Sequence, residues 1–166
     1  MKKSLFILVA FIILNIFNRA VAQDTKIILV RHAEKETDGT KDPNLNEEGR
    51  NRAVRLAAIL KNMEVDVLYS TPYKRTQQTL IPFANQMDLT VIDYDPSNLE
   101  LFAKEVKENN KGKTVVISGH SNTTPTLANL LLETQVFEQF NEEDYGNLII
   151  VVIPECGKPI LIPLIY

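Results

Sequence analysis

The chain has 166 residues, of which 45% are hydrophobic and 23% are charged, enough apolar material for one domain with a buried core. Its formal net charge of −3 argues against nucleic acid as the main partner, because that binding depends on clustered positive charge. Cys156 is the only cysteine, so an intrachain disulfide is excluded.

The first 22 residues are typical of a secretory signal peptide. Lys2 and Lys3 precede an apolar stretch over residues 5–14, and the small residues at 20–22 (AVA) resemble a cleavage site. An uncleaved anchor is the alternative, but the stretch is shorter than the ~20 residues that span a bilayer. We therefore expect an exported protein, periplasmic or secreted and free of the membrane after cleavage, with one mature domain over residues 23–166.

The mature chain alternates short apolar runs with helical patterns and contains no repeat or linker. Uninterrupted apolar runs indicate strands that are covered on both faces, as in a parallel sheet. The predicted strands comprise residues 26–30, 65–69, 90–94, 114–118, 148–153 and 160–165. The expected fold class is α/β, a three-layer α/β/α sandwich with a mostly parallel central sheet.

Four helices are predicted between these strands. Asn46 is expected to cap the first helix, which carries acidic residues in its first turn and an apolar face. Pro72 fits the first position of the second helix, which would run to about Gln86. Ser97 is expected to cap the third, and the fourth follows His120.

Three polar segments follow predicted strands. Residues 31–34 (RHAE) end the first strand, Arg75 lies one turn into the helix after the second, and residues 119–122 (GHSN) end the fourth. Because the carboxyl ends of parallel strands share one edge of a sheet, we expect the two arginines and both histidines of the protein to converge.

Two guanidinium groups beside helix N-termini make an anion site, and a phosphoryl group is the anion best matched to so many donors. A neutral histidine in such a site can attack phosphorus and carry the phosphoryl group covalently. A second histidine, if cationic, would stabilise the charge on the phosphoryl oxygens.

These segments resemble the signatures of the histidine phosphatase superfamily, branch 1, also called phosphoglycerate mutase-like. The matching residues are Arg31-His32-Ala33 for RHG or RHA, Ser70, Pro72, Arg75 and Thr79 for S-x-P-x-x-R with its following threonine, Gly119-His120-Ser121 for GHS, and residues 45–49 for the L-[ST]-x-x-G helix start. Asn46 stands where serine or threonine is usual. The chain is identified as a small, secreted, bacterial-type member with the phosphoglycerate mutase-like fold.

The resemblance implies a phosphatase that hydrolyses a phosphomonoester or a phosphohistidine without metal or cofactor. His32 would be the nucleophile that forms a phosphohistidine. Arg31, Arg75 and His120 would hold the phosphoryl oxygens. The expected substrate is a phosphorylated small molecule or a phosphoprotein, while the sequence gives neither its identity nor the oligomeric state.

The proton donor to the leaving oxygen is not identified, because the glutamate of larger relatives has no clear counterpart here. Glu34, Asp93 and Asp95 are the candidates, since a carboxyl near phosphate has its proton affinity raised. Asn122 falls where relatives place a polar residue near the phosphate. The acidic stretch at residues 142–144 is interpreted as a solvated turn, with a substrate-facing role left open.

Three other functions compete with the phosphatase. A phosphoglycerate mutase would need insertions for which the chain has little room. A metal-dependent hydrolase could use His32, Glu34 and His120 as ligands, but the two arginines would disfavour a metal beside them. A catalytically inert phosphate-binding module is the third, because the proton donor is missing.

Overall fold

A computed structural model of the chain describes residues 23–166, so the predicted signal peptide lies outside the described residues. The elements are β1 (Thr25–Arg31), α1 (Glu47–Leu60), β2 (Val67–Ser70), α2 (Lys74–Met87), β3 (Val91–Asp93), α3 (Leu99–Asn109), β4 (Thr114–Gly119), α4 (Thr123–Leu132), β5 (Asn147–Ile153) and β6 (Ile160–Ile165). No helix in this part of the chain has the length and apolarity needed to cross a membrane.

The six strands form one mixed sheet in the order β3-β2-β4-β1-β5-β6. The first four strands of the chain pair in parallel, whereas β5 runs antiparallel to β1, and β6 antiparallel to β5. The predicted α/β fold with a mostly parallel sheet is confirmed. β1 lies inside the sheet, between β4 and β5, so both of its edges are hydrogen-bonded.

The side chains of β1 alternate between two cores. Ile27 and Leu29 pack with the apolar faces of α3 and α4, and Ile28 and Val30 pack with those of α1 and α2. All four side chains are at most 1% exposed, and each such burial is worth about 1.5–3 kcal/mol. The two cores confirm the three-layer prediction and hold the end of β1 from both sides.

The helix starts agree only in part with the sequence patterns. Asn46 caps α1, since its Oδ1 accepts from the Gly49 amide at 2.8 Å. Asn98, not Ser97, caps α3, because the Ser97 amide donates to Asp95 Oδ1 instead. The predicted start of α2 at Pro72 is also wrong.

The turn before α2 explains that difference. Tyr73 keeps an extended backbone (φ −121°, ψ 143°), and its amide donates to Thr71 O at 2.8 Å, so the helix starts at Lys74. Asp42 Oδ1 accepts from the Lys74 amide at 3.0 Å and satisfies one of the free donors of this helix end. The turn leaves Arg75 in the first helical turn.

Candidate active site

The carboxyl ends of β1, β2 and β4 meet at one edge of the sheet. Arg31 of β1 is in register with Gly119 of β4, and the His32 amide donates to Gly119 O at 2.9 Å. The rings of His32 and His120 lie 5.4 Å apart, and Arg75 Nη2 lies 3.4 Å from His120 Nδ1. The structure therefore brings together the four residues that the sequence predicted to converge.

His32 is buried, with 4% of its surface exposed. Its Nδ1 lies 2.8 Å from the carbonyl oxygen of Ala33, which can only accept, so Nδ1 carries the proton and Nε2 keeps its lone pair. The Ala33 amide in turn donates to Thr79 Oγ1 at 2.9 Å. This anchoring fixes the ring with a nucleophilic nitrogen available.

The charge state of His32 suits a nucleophile. Burial is the largest cause that lowers its pKa to about 3, and the nearby positive charges of Arg31 and Arg75 act in the same direction. The imidazole is therefore neutral at neutral pH. A neutral ring nitrogen can attack phosphorus, whereas a protonated one cannot.

His120 is held between β2 and α2. Its Nε2 lies 3.0 Å from Thr71 Oγ1, and its Nδ1 faces Arg75 Nη2, which can only donate. Burial and then the guanidinium groups of Arg75 and Arg31 lower its pKa to about 4. In the unliganded site His120 is thus neutral, and the cationic state considered from the sequence would require an added anion.

Three guanidinium donors of this site are buried without a hydrogen-bond partner. Within residues 23–166 the unpaired buried side-chain atoms are Arg31 Nε, Arg75 Nε, Arg75 Nη1, Ser118 Oγ and the Tyr166 phenol oxygen. Arg75 Nη1 is 3.5 Å from Asp42 Oδ1, too far for a good hydrogen bond. Since an unmade hydrogen bond of a buried charged group is costly, these donors indicate an anion site.

Residues 141–145 cover the outer end of Arg31. Its Nη1 donates to the carbonyl oxygens of Asn141 (2.7 Å) and Asp144 (3.2 Å), and its Nη2 donates to Glu142 Oε2 (3.1 Å). The Tyr145 ring stacks on the guanidinium at 4.2 Å from its centroid. These contacts occupy both terminal nitrogens and leave Nε for a ligand.

Glu142 belongs to the acidic stretch for which the sequence left a substrate-facing role open, and the structure places it at the site. Its Oε1 accepts from Ser121 Oγ at 2.7 Å, so the carboxylate bridges β1's arginine and the segment before α4. Residues 142–144 are exposed and Glu142 lies in a turn, as interpreted from the sequence, but Glu142 also pairs with Arg31. No local signal could have found it, because Glu142 and Arg31 are 111 residues apart.

Glu34 is bound elsewhere and does not serve as a proton donor. Arg52 Nε donates to both of its carboxylate oxygens, at 2.9 and 3.0 Å. Burial alone would raise the pKa of Glu34, but the hydrogen bonds from Arg52 outweigh it and lower the pKa. A metal ligand set of His32, Glu34 and His120 is not assembled, and no other group of three suitable side chains lies together in residues 23–166.

Asp93 and Asp95 lie at the far edge of the sheet. Both are exposed; Asp93 accepts from Gln77 Nε2 at 2.9 Å, and Asp95 accepts from the Ser97 amide at 2.8 Å. The hydrogen bonds to Ser97 lower the pKa of Asp95. β3 is three strand spacings from β1, about 14 Å, so these two carboxyls do not reach His32.

Asn122 stands at the exposed start of α4. Its side chain makes no capping hydrogen bond, and its carbonyl oxygen accepts from Thr126 Oγ1 at 2.8 Å. The structure therefore gives it a backbone role at the helix start.

Sequence comparison matches residues 27–101 to the histidine phosphatase superfamily (branch 1). Phosphoserine phosphatase 1 of Hydrogenobacter thermophilus is 43% identical over 76 residues, which make up 42% of this chain. The matched segment spans 36% of that relative's length. The family match over residues 27–101 contains the first two of the three signature segments.

Two solved structures share the fold along most of the chain. Phosphoserine phosphatase from Entamoeba histolytica, in complex with 3-phosphoglyceric acid, has a TM-score of 0.66 at 21% identity, covering 82% of this chain and 94% of its own. The protein histidine phosphatase SixA, complexed with tungstate, has a TM-score of 0.64 at 16% identity, covering 84% and 96%. These likenesses confirm the fold, and residues 27–101, somewhat less than half of the chain, match the histidine phosphatase superfamily, branch 1.

Proposed function

We propose that this protein is a metal-independent phosphatase that hydrolyses a phosphomonoester or a phosphohistidine through a covalent phosphohistidine on His32. The observation that carries the proposal is the set of three unpaired, buried guanidinium donors beside a neutral histidine. A phosphoryl group supplies the acceptors that these donors lack. The family match and the phosphatases that share the fold support the same activity.

In the first step His32 Nε2 attacks phosphorus, and the bond from phosphorus to the leaving group breaks, P–O in a phosphomonoester and P–N in a phosphohistidine. Arg31 Nε and the two free donors of Arg75 stabilise the charge on the phosphoryl oxygens. In the second step water attacks the phosphohistidine, the N–P bond breaks and phosphate leaves. The hydrogen bond from Nδ1 to Ala33 O holds the ring in position throughout.

His120 changes its role when the anion binds. A phosphoryl dianion beside it offsets the positive field of the two arginines and raises its pKa, so the ring can take up a proton. The resulting imidazolium donates to the phosphoryl oxygens. Thr71 Oγ1, at 3.0 Å from Nε2, keeps the ring directed into the site.

The leaving group must itself stabilise the negative charge that develops on it as its bond to phosphorus breaks. Because Glu34, Asp93 and Asp95 are bound elsewhere, none of these carboxyls protonates the leaving oxygen. We expect aryl phosphates and phosphohistidine, whose leaving groups need less protonation, to react faster than alkyl phosphates.

The test is phosphate release from an aryl phosphate by residues 23–166, with and without chelator, compared with His32→Ala. We expect chelator-resistant activity that falls about 10⁴-fold or more in the variant. Enzyme quenched in alkaline denaturant should carry a phosphoryl group on His32 that is stable to base and lost in acid. Turnover that survives in His32→Ala would overturn the mechanism, and phosphate binding without turnover by the intact protein would favour the inert binding module.

A further inference from the structure

Each phosphate-binding arginine carries a carboxylate on its solvent side. Arg31 is fully buried, but its partner Glu142 is 66% exposed. The Arg75 side chain is 14% exposed, and Asp42, at 3.5 Å, is 37% exposed. In each pair the carboxylate is therefore the more exposed partner and lies nearer to solvent than the guanidinium.

The charges of the unliganded site already balance. Two guanidinium groups face two carboxylates, and both histidines are neutral. A phosphoryl dianion makes the occupied site negative, and one proton taken up by His120 removes only part of that charge. The site therefore holds a phosphoryl group but has no positive charge left for a second anion on the same substrate.

Two further observations extend the acidic side of the site. Glu143 and Asp144 are exposed next to Glu142. Burial, together with the negative charge of Glu143, raises the pKa of the Tyr145 phenol, whose ring packs on Arg31.

We propose that the site selects phosphorylated groups whose leaving part is cationic or neutral and rejects those that carry an additional carboxylate, with Glu142 as the main discriminating residue. The inference rests on the proposed phosphatase function and names its substrate class. An ammonium group on the leaving part would face the exposed oxygens of Glu142 and Asp42, whereas a carboxylate there would be repelled by both.

The experiment uses three aryl phosphates with matched leaving groups: phenyl phosphates with a 2-aminoethyl, a 2-hydroxyethyl or a 2-carboxyethyl group in the para position. The charge is insulated from the phenol oxygen, so the chemistry of the leaving group stays similar. We expect kcat/KM to fall from the cationic to the neutral to the anionic substrate, by about tenfold in total. In 0.5 M salt the difference in kcat/KM between the cationic and the anionic substrate should become smaller, because salt screens exposed charges.

The variant Glu142→Gln removes the charge and keeps the shape, and Glu143→Gln is its matched control at the adjacent exposed position. We expect the ratio of kcat/KM for the cationic substrate to that for the anionic one to fall at least about threefold in Glu142→Gln. In Glu143→Gln it should change less than about twofold. A purely structural effect on Arg31 would lower all three substrates together and leave this ratio unchanged.

The outcomes separate the two proposals. If the neutral substrate is hydrolysed but the ratio is near one, or favours the carboxylate, the substrate class is wrong and the phosphatase function stands. An equal change of the ratio in both variants would overturn the assignment to Glu142. If none of the three substrates is hydrolysed, the proposed function fails, and the inference fails with it.

Discussion

Arg52 and Arg75 are equally buried, with 14% of each side chain exposed, and both lie beside a carboxylate near the end of β1. The difference lies in their hydrogen bonds. Arg52 Nε and Nη2 donate to Glu34, and its Nη1 donates to Tyr166 O at 2.6 Å. Arg75 leaves Nε and Nη1 without partners.

The comparison shows how a guanidinium with free donors differs from a saturated one in the same environment. A saturated guanidinium ties segments of the chain together, here the loop after β1, α1 and the end of β6. An unsaturated one is held by its surroundings but keeps donors free for a ligand, which costs stability until the ligand arrives. Burial and charge alone would not have told the two apart.

The sharpest test of this difference is the pair Arg75→Lys and Arg52→Lys. Lysine keeps the charge but loses the planar forked donors, so Arg75→Lys should lower kcat/KM for an aryl phosphate about 10²–10³-fold. Arg52→Lys should lower it less than about threefold per folded molecule and should instead lower the melting temperature. Equal losses of activity in both variants would remove the distinction.

Removal of the partner carboxylate should lower the stability of the protein more at Arg52 than at Arg75. In Glu34→Gln the buried Arg52 loses its ion pair, and we expect about 2–4 kcal/mol less free energy of unfolding in urea. Asp42→Asn is the matched control: because Asp42 is more exposed and makes no short hydrogen bond to Arg75, its loss should cost less than about 1 kcal/mol. A larger cost for Asp42→Asn would contradict the comparison.

An added oxyanion should stabilise only through the unsaturated arginines. Vanadate or phosphate at 100 times its dissociation constant should add about 2.7 kcal/mol to the free energy of unfolding. The gain should persist in Arg52→Lys and shrink in Arg75→Lys when both are measured at the same anion concentration. Thermal unfolding with sulfate-free buffers checks this, and an unchanged gain in Arg75→Lys would contradict the site.

A further test is the pH dependence that the two histidines impose. In the unfolded chain the two histidines become protonated near pH 6.5. In the folded protein their pKa values are lowered to about 3 for His32 and about 4 for His120, so they become protonated only at lower pH. Stability is therefore complete above pH 6.5 and falls by about 1.4 kcal/mol per pH unit for each histidine as the pH decreases.

The pH window separates this effect from Glu34. That carboxyl has a lowered pKa, so its contribution is lost only below its usual value of 4.5, and the histidines alone titrate between pH 4.5 and 6.5. Urea unfolding across this window should give about half the slope in His120→Gln. An unchanged slope would show that His120 is not neutral in the folded protein.

The fold and the convergence of the site could be predicted from the sequence because both rest on local patterns. Apolar runs mark the strands, and polar residues directly after parallel strands must share an edge. The helix starts at Pro72 and Ser97 were wrong because Tyr73 stays extended and Asp95 takes the Ser97 amide. At both predicted helix starts, a neighbouring group formed a different local structure that moved the start of the helix.

Two long-range pairings lay beyond the sequence patterns. Glu34 was a candidate proton donor because it follows His32, but its partner Arg52 is 18 residues away on α1. Glu142 was assigned to a turn, although it reaches Arg31 across the sheet edge. The sequence does not identify the guanidinium that a given carboxylate will bind, because packing in the folded chain decides the partner.

The position of β1 between β4 and β5 also sets the order in which the sheet can assemble during synthesis. β1 is made first, yet both strands that pair with it are made late, and Arg31 hydrogen bonds to Asn141, 110 residues further along. Closing so long a loop is slow, so a growing chain carries β1, with its apolar residues 27–30, unpaired until most of the chain has been synthesised. His32 therefore acquires its surroundings only when the last third of the chain has joined the sheet.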